Sequence, residues 1–129
     1  VRDAQGRCLA GCQLHIGDNP GDGAMPSWMQ HKLRPGECYV EWVGTLDEAR
    51  GKGMGSKLMR WAEETARKSG CTVITLDVVG GNRAVNLYER VGYEVVSHSN
   101  LCSSMGICCI VYCLMGCHYC KLIHMEKKL

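Results

Sequence analysis

Residues 50–58 read RGKGMGSKL. Three glycines, an arginine and a lysine sit just ahead of a strong helical pattern. Glycine destabilises a helix interior by about 1 kcal/mol per residue relative to alanine. Its concentration at a helix start means that something approaches the backbone closely, or that the chain turns where side chains are forbidden.

Upstream, CYVEWVGTL (38–46) is rich in β-branched and aromatic residues and predicts a strand. Downstream, Met54, Leu58, Trp61, Ala62, Thr65 and Ala66 recur at three- and four-residue steps and predict one helix face. Glu63, Glu64, Arg67 and Lys68 fall toward the other face, and Gly70 ends the helix. CTVITLDVV (71–79) reads as a second buried strand, broken by Gly80-Gly81. Asn82 is a good N-cap for a short helix, RAVNLYERV, closed by Gly92. YEVVSHS (93–99) and KLIHMEKKL (121–129) read as further strands. Residues 1–16 predict a hairpin turning around Asp3, Gln5 and Gly6. Residues 17–23 predict a loop, 25–33 a short helix or covering loop, and Pro35-Gly36 a turn. The succession of strands and helices is α/β organisation with antiparallel pairs at the ends.

A strand, then Arg50-Gly51-Lys52-Gly53-Met54-Gly55, then a helix has the geometry of an anion site. The first helical N–H groups have no intrahelical partners, and the helix dipole adds partial positive charge. Arg50 and Lys52 add charge and donors. The spacing excludes a P-loop, which needs G-x-x-x-x-G-K-[ST]. It also departs from the dinucleotide fingerprint, because the glycines run G-x-G-x-G and no acidic strand end follows at the expected place. A tight structural turn is the alternative.

The run DVVGGNRAVNLYERVGY (77–93) completes the pattern. With EARGKGMGSKL (48–58) it resembles the Gcn5-related N-acetyltransferase (GNAT) superfamily. That family carries Arg/Gln-x-x-Gly-x-Gly/Ala at a strand-to-helix junction, matched by Arg50, Gly53 and Gly55. It later carries an asparagine followed by Ala-x-x-Leu-Tyr and a Gly-aromatic pair, matched by Asn82, Ala84, Leu87-Tyr88 and Gly92-Tyr93. The resemblance covers about 37–98, with 1–16 as the preceding hairpin.

The resemblance implies a mixed sheet flanked by helices and an acetyl-CoA site. The pyrophosphate lies on Gly51, Lys52, Gly53, Met54, Gly55 and Ser56, with Arg50 beside it. The pantetheine arm pairs with the strand backbone at Val43, Thr45 and Leu46, and Asn82 bonds it. Tyr88 sits near the thioester sulfur and acts as the acid; its alternative is a packing role in the short helix.

Acetyl transfer to a primary amine needs a proton acceptor, donors for the oxyanion, and an acid for the leaving thiolate. Backbone N–H groups at a distorted strand supply the oxyanion donors. Glu41 and Asp77 are the candidate bases, with Glu37 nearby; for each the alternative is a salt-bridged strand residue. Direct transfer in a ternary complex is the implied mechanism, with no cysteine at a family nucleophile position. The acceptor stays open between a protein, a polyamine and a small metabolite. The rival class is a non-catalytic acyl-CoA-binding or thiol/metal-binding module.

Two features depart from the family. The chain begins at Val1, near the expected hairpin, so the family's first strand and two helices are expected to be missing, as in a trimmed fragment. LCSSMGICCIVYCLMGCHYC (101–120) stands as a Cys-rich insert before the last strand and contains no Asp, Glu, Lys or Arg. A helix there would align Cys109, Cys113, Cys117 and Cys120 as a buried cap or dimer contact. S-acylation at a membrane surface, a zinc site from Cys113, Cys117 and Cys120 with His118 or His124, and disulfides are the other readings. The C-x3-C-x2-C spacing is not a standard zinc knuckle, so no metal is assigned.

Bulk properties set the frame. A chain of 129 residues, 46% hydrophobic and 22% charged, suits a single globular domain over 1–129. A net charge of +2 gives no ground for a nucleic-acid partner. Four of the ten cysteines, Cys8, Cys12, Cys38 and Cys71, fall in or beside predicted strands, where free thiols pack as small hydrophobes. A reduced, intracellular and cytoplasmic protein is expected.

Overall fold

The computed structural model describes residues 1–17, 32–100 and 121–129. Five strands form a mixed sheet: β1 (Ala10–Ile16), β2 (Glu37–Thr45), β3 (Val73–Val79), β4 (Glu94–Asn100) and β5 (Lys121–Lys128). Their order across the sheet is β1-β2-β3-β5-β4. Helix α1 (Met54–Lys68) joins β2 to β3, and α2 (Ala84–Arg90) joins β3 to β4. The expected readings of 18–31 and of the Cys-rich stretch 101–120 lie outside the described residues.

The chain forms two compact units that divide within β3. The first is Val1–Thr75 with Lys127–Leu129. Its β1 and β2 pair antiparallel, with Ile16 opposite Cys38 and Ala10 opposite Thr45. Ahead of β1 the expected hairpin is reduced to a turn closed by the Asp3 N–H on the Arg7 carbonyl and one bridge between Arg2 and Cys8. The core of this unit holds Ala10, Cys38, Val40, Leu58, Met59, Ala62, Ala66 and Ile74. Gly44 permits a close approach: a Cβ there would stand 2.2 Å from the Trp42 ring, so only glycine lets the exposed indole lie where it does.

The expected face of α1 needs correction. Trp61 is 53% exposed, whereas Met59 is fully buried and Glu63 is 5% exposed. The buried stripe is Leu58, Met59, Ala62, Glu63 and Ala66, rotated from the expected one. The reason is a long-range partner: Lys127 Nζ donates to Glu63 Oε1 at 2.9 Å, and Arg67 lies 3.7 Å from the other oxygen. A paired carboxylate is tolerated in the core where an unpaired one is expelled.

Both helices end as their glycines predict. Gly70 and Gly92 have φ of 79° and 91°. The Cys71 N–H reaches back to the Ala66 carbonyl, and the Tyr93 N–H to the Tyr88 carbonyl. Each pair of closing bonds is a Schellman motif.

The second unit is Leu76–Glu126. Within it β4 and β5 pair antiparallel, with Ser97 opposite His124 and Val95 opposite Met125. Among its described residues Leu76, Val78, Tyr88, Tyr93 and Met125 are buried.

Candidate active site

In the first unit, β2 runs into a short 3-10 turn, Asp47–Ala49, before α1. Gly51 and Gly53 both have φ of 74°, the left-handed region that favours glycine. Gly53 is the N-cap of α1, and no side chain caps that end. A Cβ at either position would meet nothing within 4 Å, so the ground left bare is open on the protein side. The first intrahelical bond of α1 is the Lys57 N–H to the Gly53 carbonyl, which leaves Met54, Gly55 and Ser56 N–H without intrahelical partners.

Helix starts favour Asp and Glu, which balance the dipole. The first turn of α1 has none. Cations stand beside it in the sequence instead: Arg50, Lys52 and Lys57. Arg50 is mostly exposed and rests on Asp47 at 2.7 Å, an exchangeable surface pair. An uncapped helix start with no acid in its first turn has the chemistry that suits an anion.

Glu41 sits where β2 is irregular. Gln13 opposes Trp42 and Leu14 opposes Val40, so Glu41 is the extra residue of a bulge. A bulge distorts the strand locally and leaves backbone groups out of the ladder. Glu41 Oε2 is shielded from solvent and lies 2.9 Å from His15 Nε2, yet makes no hydrogen bond. Val43, Thr45 and Leu46 continue the strand, and Leu46 N–H donates to the Leu9 carbonyl. Glu37, in contrast, is structural. It is 2% exposed and accepts from Thr75 Oγ1, the Arg34 N–H and Arg34 Nε.

The second unit holds the remaining candidates. Tyr88 is buried on α2, with its ring 6.1 Å from that of Tyr93 and tilted by 58°. Burial pushes its phenol pKa up, which keeps the proton on the oxygen. Asn82 precedes α2 and caps it through its side chain, Oδ1 accepting the Ala84 N–H at 2.9 Å. The formal N-cap position is Arg83, one residue later than expected, because the Asn82 carboxamide bridges the turn. Asp77 Oδ1 is hydrogen-bonded to His124 Nδ1 at 2.8 Å, with both side chains 20% exposed. Sequence alone offered His124 only as a zinc candidate. Its carboxylate partner lies 47 residues away, and the one advance signal was its alternation with Leu122 and Glu126 on the last strand.

Residues 1–93 match the family model for the acetyltransferase (GNAT) family. The chain belongs to this family. A mycothiol acetyltransferase of Corynebacterium jeikeium is 42% identical over 64 residues, which are 49% of this chain and 18% of that protein. A thialysine N-epsilon-acetyltransferase of Bos taurus is 30% identical over 93 residues, 71% of this chain and 48% of that protein. This chain thus spans half or less of both relatives. Among solved structures, a Bacillus subtilis acetyltransferase in complex with CoA shares the fold, with a TM-score of 0.61 and 18% identity over 76% of this chain and 64% of that one.

The zinc and membrane-surface readings fall on the Cys-rich stretch 101–120, outside the described residues. Among the described residues no group of three or more His, Cys, Asp or Glu side chains is placed to hold a metal ion. No helix among them is long and apolar enough to cross a membrane.

Proposed function

We propose that this chain is an acetyl-CoA-dependent N-acetyltransferase, one domain over 1–129, that moves an acetyl group to a primary amine. The observation that carries the proposal is the start of α1: a left-handed glycine cap, three N–H groups without intrahelical partners, no acidic residue in the first turn, and neighbouring cations. That is the chemistry a pyrophosphate requires. The N–H groups of the Gly51–Ser56 stretch bind it, and Arg50 exchanges Asp47 for it. Lys52 adds charge. The backbone at Val43, Thr45 and Leu46 takes the pantetheine amides, and the Asn82 amide nitrogen adds a donor.

Transfer is direct. The amine attacks the thioester carbon, and the oxyanion is stabilised by backbone N–H groups at the Glu41 bulge. Tyr88, kept protonated by burial, gives its proton to the departing thiolate. Glu41 and Asp77 are the two carboxylates from which proton removal is organised. The relative named for thialysine supports an amine on a flexible chain as acceptor. The free cysteines Cys8, Cys12, Cys38 and Cys71 fit a reducing, cytoplasmic setting.

The test is a thiol-release assay with acetyl-CoA and a panel of thialysine, spermidine and a lysine-bearing peptide. The expected result is stoichiometric CoA release and amine acetylation with at least one member. Acetyl-CoA binding without transfer to any of them would favour a non-catalytic acyl-CoA-binding module.

A further inference from the structure

One face of the β1–β2 pair carries an aromatic side chain for which the sequence makes room. Trp42 is 56% exposed. The benzene half of its indole lies over Gly44 and Gly11, which stand directly opposite each other on the two strands. A Cβ at Gly44 would meet the ring at 2.2 Å, and one at Gly11 at 3.3 Å. Two neighbouring strands thus lack a side chain at the same spot, and the ring takes the space. Burial does not account for this arrangement, because most of the indole stays in solvent.

The bulge brings a carboxylate to the same face. Gln13 and His15 alternate on β1 and point the same way, and Trp42 stands opposite Gln13. Glu41 Oε2 lies 2.9 Å from His15 Nε2, so Glu41 shares that face with Trp42. In a regular strand these consecutive residues would point to opposite faces. Oε2 is shielded and makes no hydrogen bond, while the Glu41 side chain keeps 22% of its surface exposed. No lysine or arginine stands among Gly11, Gln13, His15, Glu41, Trp42 and Gly44. A carboxylate beside an exposed indole is the chemistry that recognises an organic cation. The indole attracts it through its π face, and the carboxylate adds a charge-assisted bond.

An amine that attacks a thioester must be neutral as it does so. A cation site therefore suits a charge that the reaction leaves in place. We propose that Trp42 and Glu41 hold a second, non-reacting ammonium of the acceptor, so that the acceptor is an alkyl amine bearing another cation, as a diamine does. This deepens the proposed acetyl transfer and rests on it. The subsite adjoins Val43 and Thr45, the strand backbone proposed for pantetheine, and all of it lies in the first unit. Glu41 then holds a charge rather than removing a proton.

The test has two arms on the full chain. The first compares cadaverine with pentylamine, which has the same carbon chain and no second charge, as acceptors at saturating acetyl-CoA. The expected KM for cadaverine is lower by about tenfold, within the span of a cation–π contact. Trp42→Ala and Glu41→Gln bring the two KM values within about twofold of each other, with kcat for pentylamine changed less than tenfold. Trp42→Phe keeps part of the difference. Equal KM values in wild type, or a preference retained in Trp42→Ala, overturn the proposal. The second arm needs no turnover. Indole N–H signals in NMR, with that of Trp42 assigned by Trp42→Phe, are followed in the presence of CoA as each amine is added. The Trp42 signal is expected to shift with cadaverine at concentrations where pentylamine leaves it in place. A signal unmoved by cadaverine, or moved equally by both amines, overturns the proposal whether or not the chain is active. Failure to acetylate any amine overturns the acetyltransferase reading instead, and the Trp42 signal still decides the cation site.

Discussion

The two units carry the same pair of chemical groups and use them differently. In the first, Glu41 is the extra residue of a strand bulge, and its shielded oxygen touches His15 without an aligned bond. In the second, Asp77 and His124 face each other across β3 and β5, and the bond is made. The first pair stands at a bulge, which turns one side chain out of line. The bulge instead offers backbone N–H groups. The α1 start and the bulge belong to the first unit, and Asp77, Tyr88 and His124 to the second.

That division is broken most sharply by kinetics. Tyr88→Phe and Asp77→Asn are expected to lower kcat by at least about 10²-fold each, as loss of an acid or of a base does. Glu41→Gln is expected to lower it less than tenfold. Steady-state assays at saturating acetyl-CoA check this, and a larger loss in Glu41→Gln than in Asp77→Asn would reverse the roles of the two pairs.

Alkaline stability sharpens the contrast next. Burial pushes the Cys38 thiol in the first unit from an ordinary 9.0 up to about 12, with Cys71, Cys12 and Glu37 adding to it. The folded state holds that proton after the unfolded chain has lost it. Stability is therefore full below pH 9 and falls as pH rises from 9 toward 12, by up to about 4 kcal/mol for a shift of that size. Urea titrations across pH 8–11 check it. Cys38→Ala removes most of the slope, and Tyr88 in the second unit adds a later decline above its ordinary 10.0.

Smaller effects follow from packing. Lys127→Met leaves Glu63 buried with only the more distant Arg67, and is expected to destabilise the chain by about 2 kcal/mol. Denaturant midpoints check it, and Glu63→Met in the same background restores part of the loss. Gly53→Ala meets no atom within 4 Å but must adopt φ of 74°, a strain of about 1 kcal/mol.

What the sequence made legible was local. Gly51, Gly53, Gly70 and Gly92 all have positive φ, and each marks the helix start or end that their placement predicts. The strands at 38–46, 71–79, 93–99 and 121–129 appear within two residues of their expected bounds. What escaped was set by distant partners. Glu63 is buried because Lys127 comes from the far end of the chain, and periodicity shows only that a carboxylate occupies that step. The bulge at Glu41 depends on how β1 pairs with β2. His124 gains its orientation from Asp77, and nothing near either residue announces the other.

The central claim is that the bare backbone before α1 holds the pyrophosphate of acetyl-CoA. The most direct measurement is calorimetric titration of acetyl-CoA, and separately of dephospho-CoA and acetate, into wild type and Gly53→Trp, with circular dichroism confirming the fold of both. The account predicts micromolar acetyl-CoA binding to wild type, none for acetate, and loss of binding in a folded Gly53→Trp. No binding to folded wild type, or equal binding to both proteins, would contradict it.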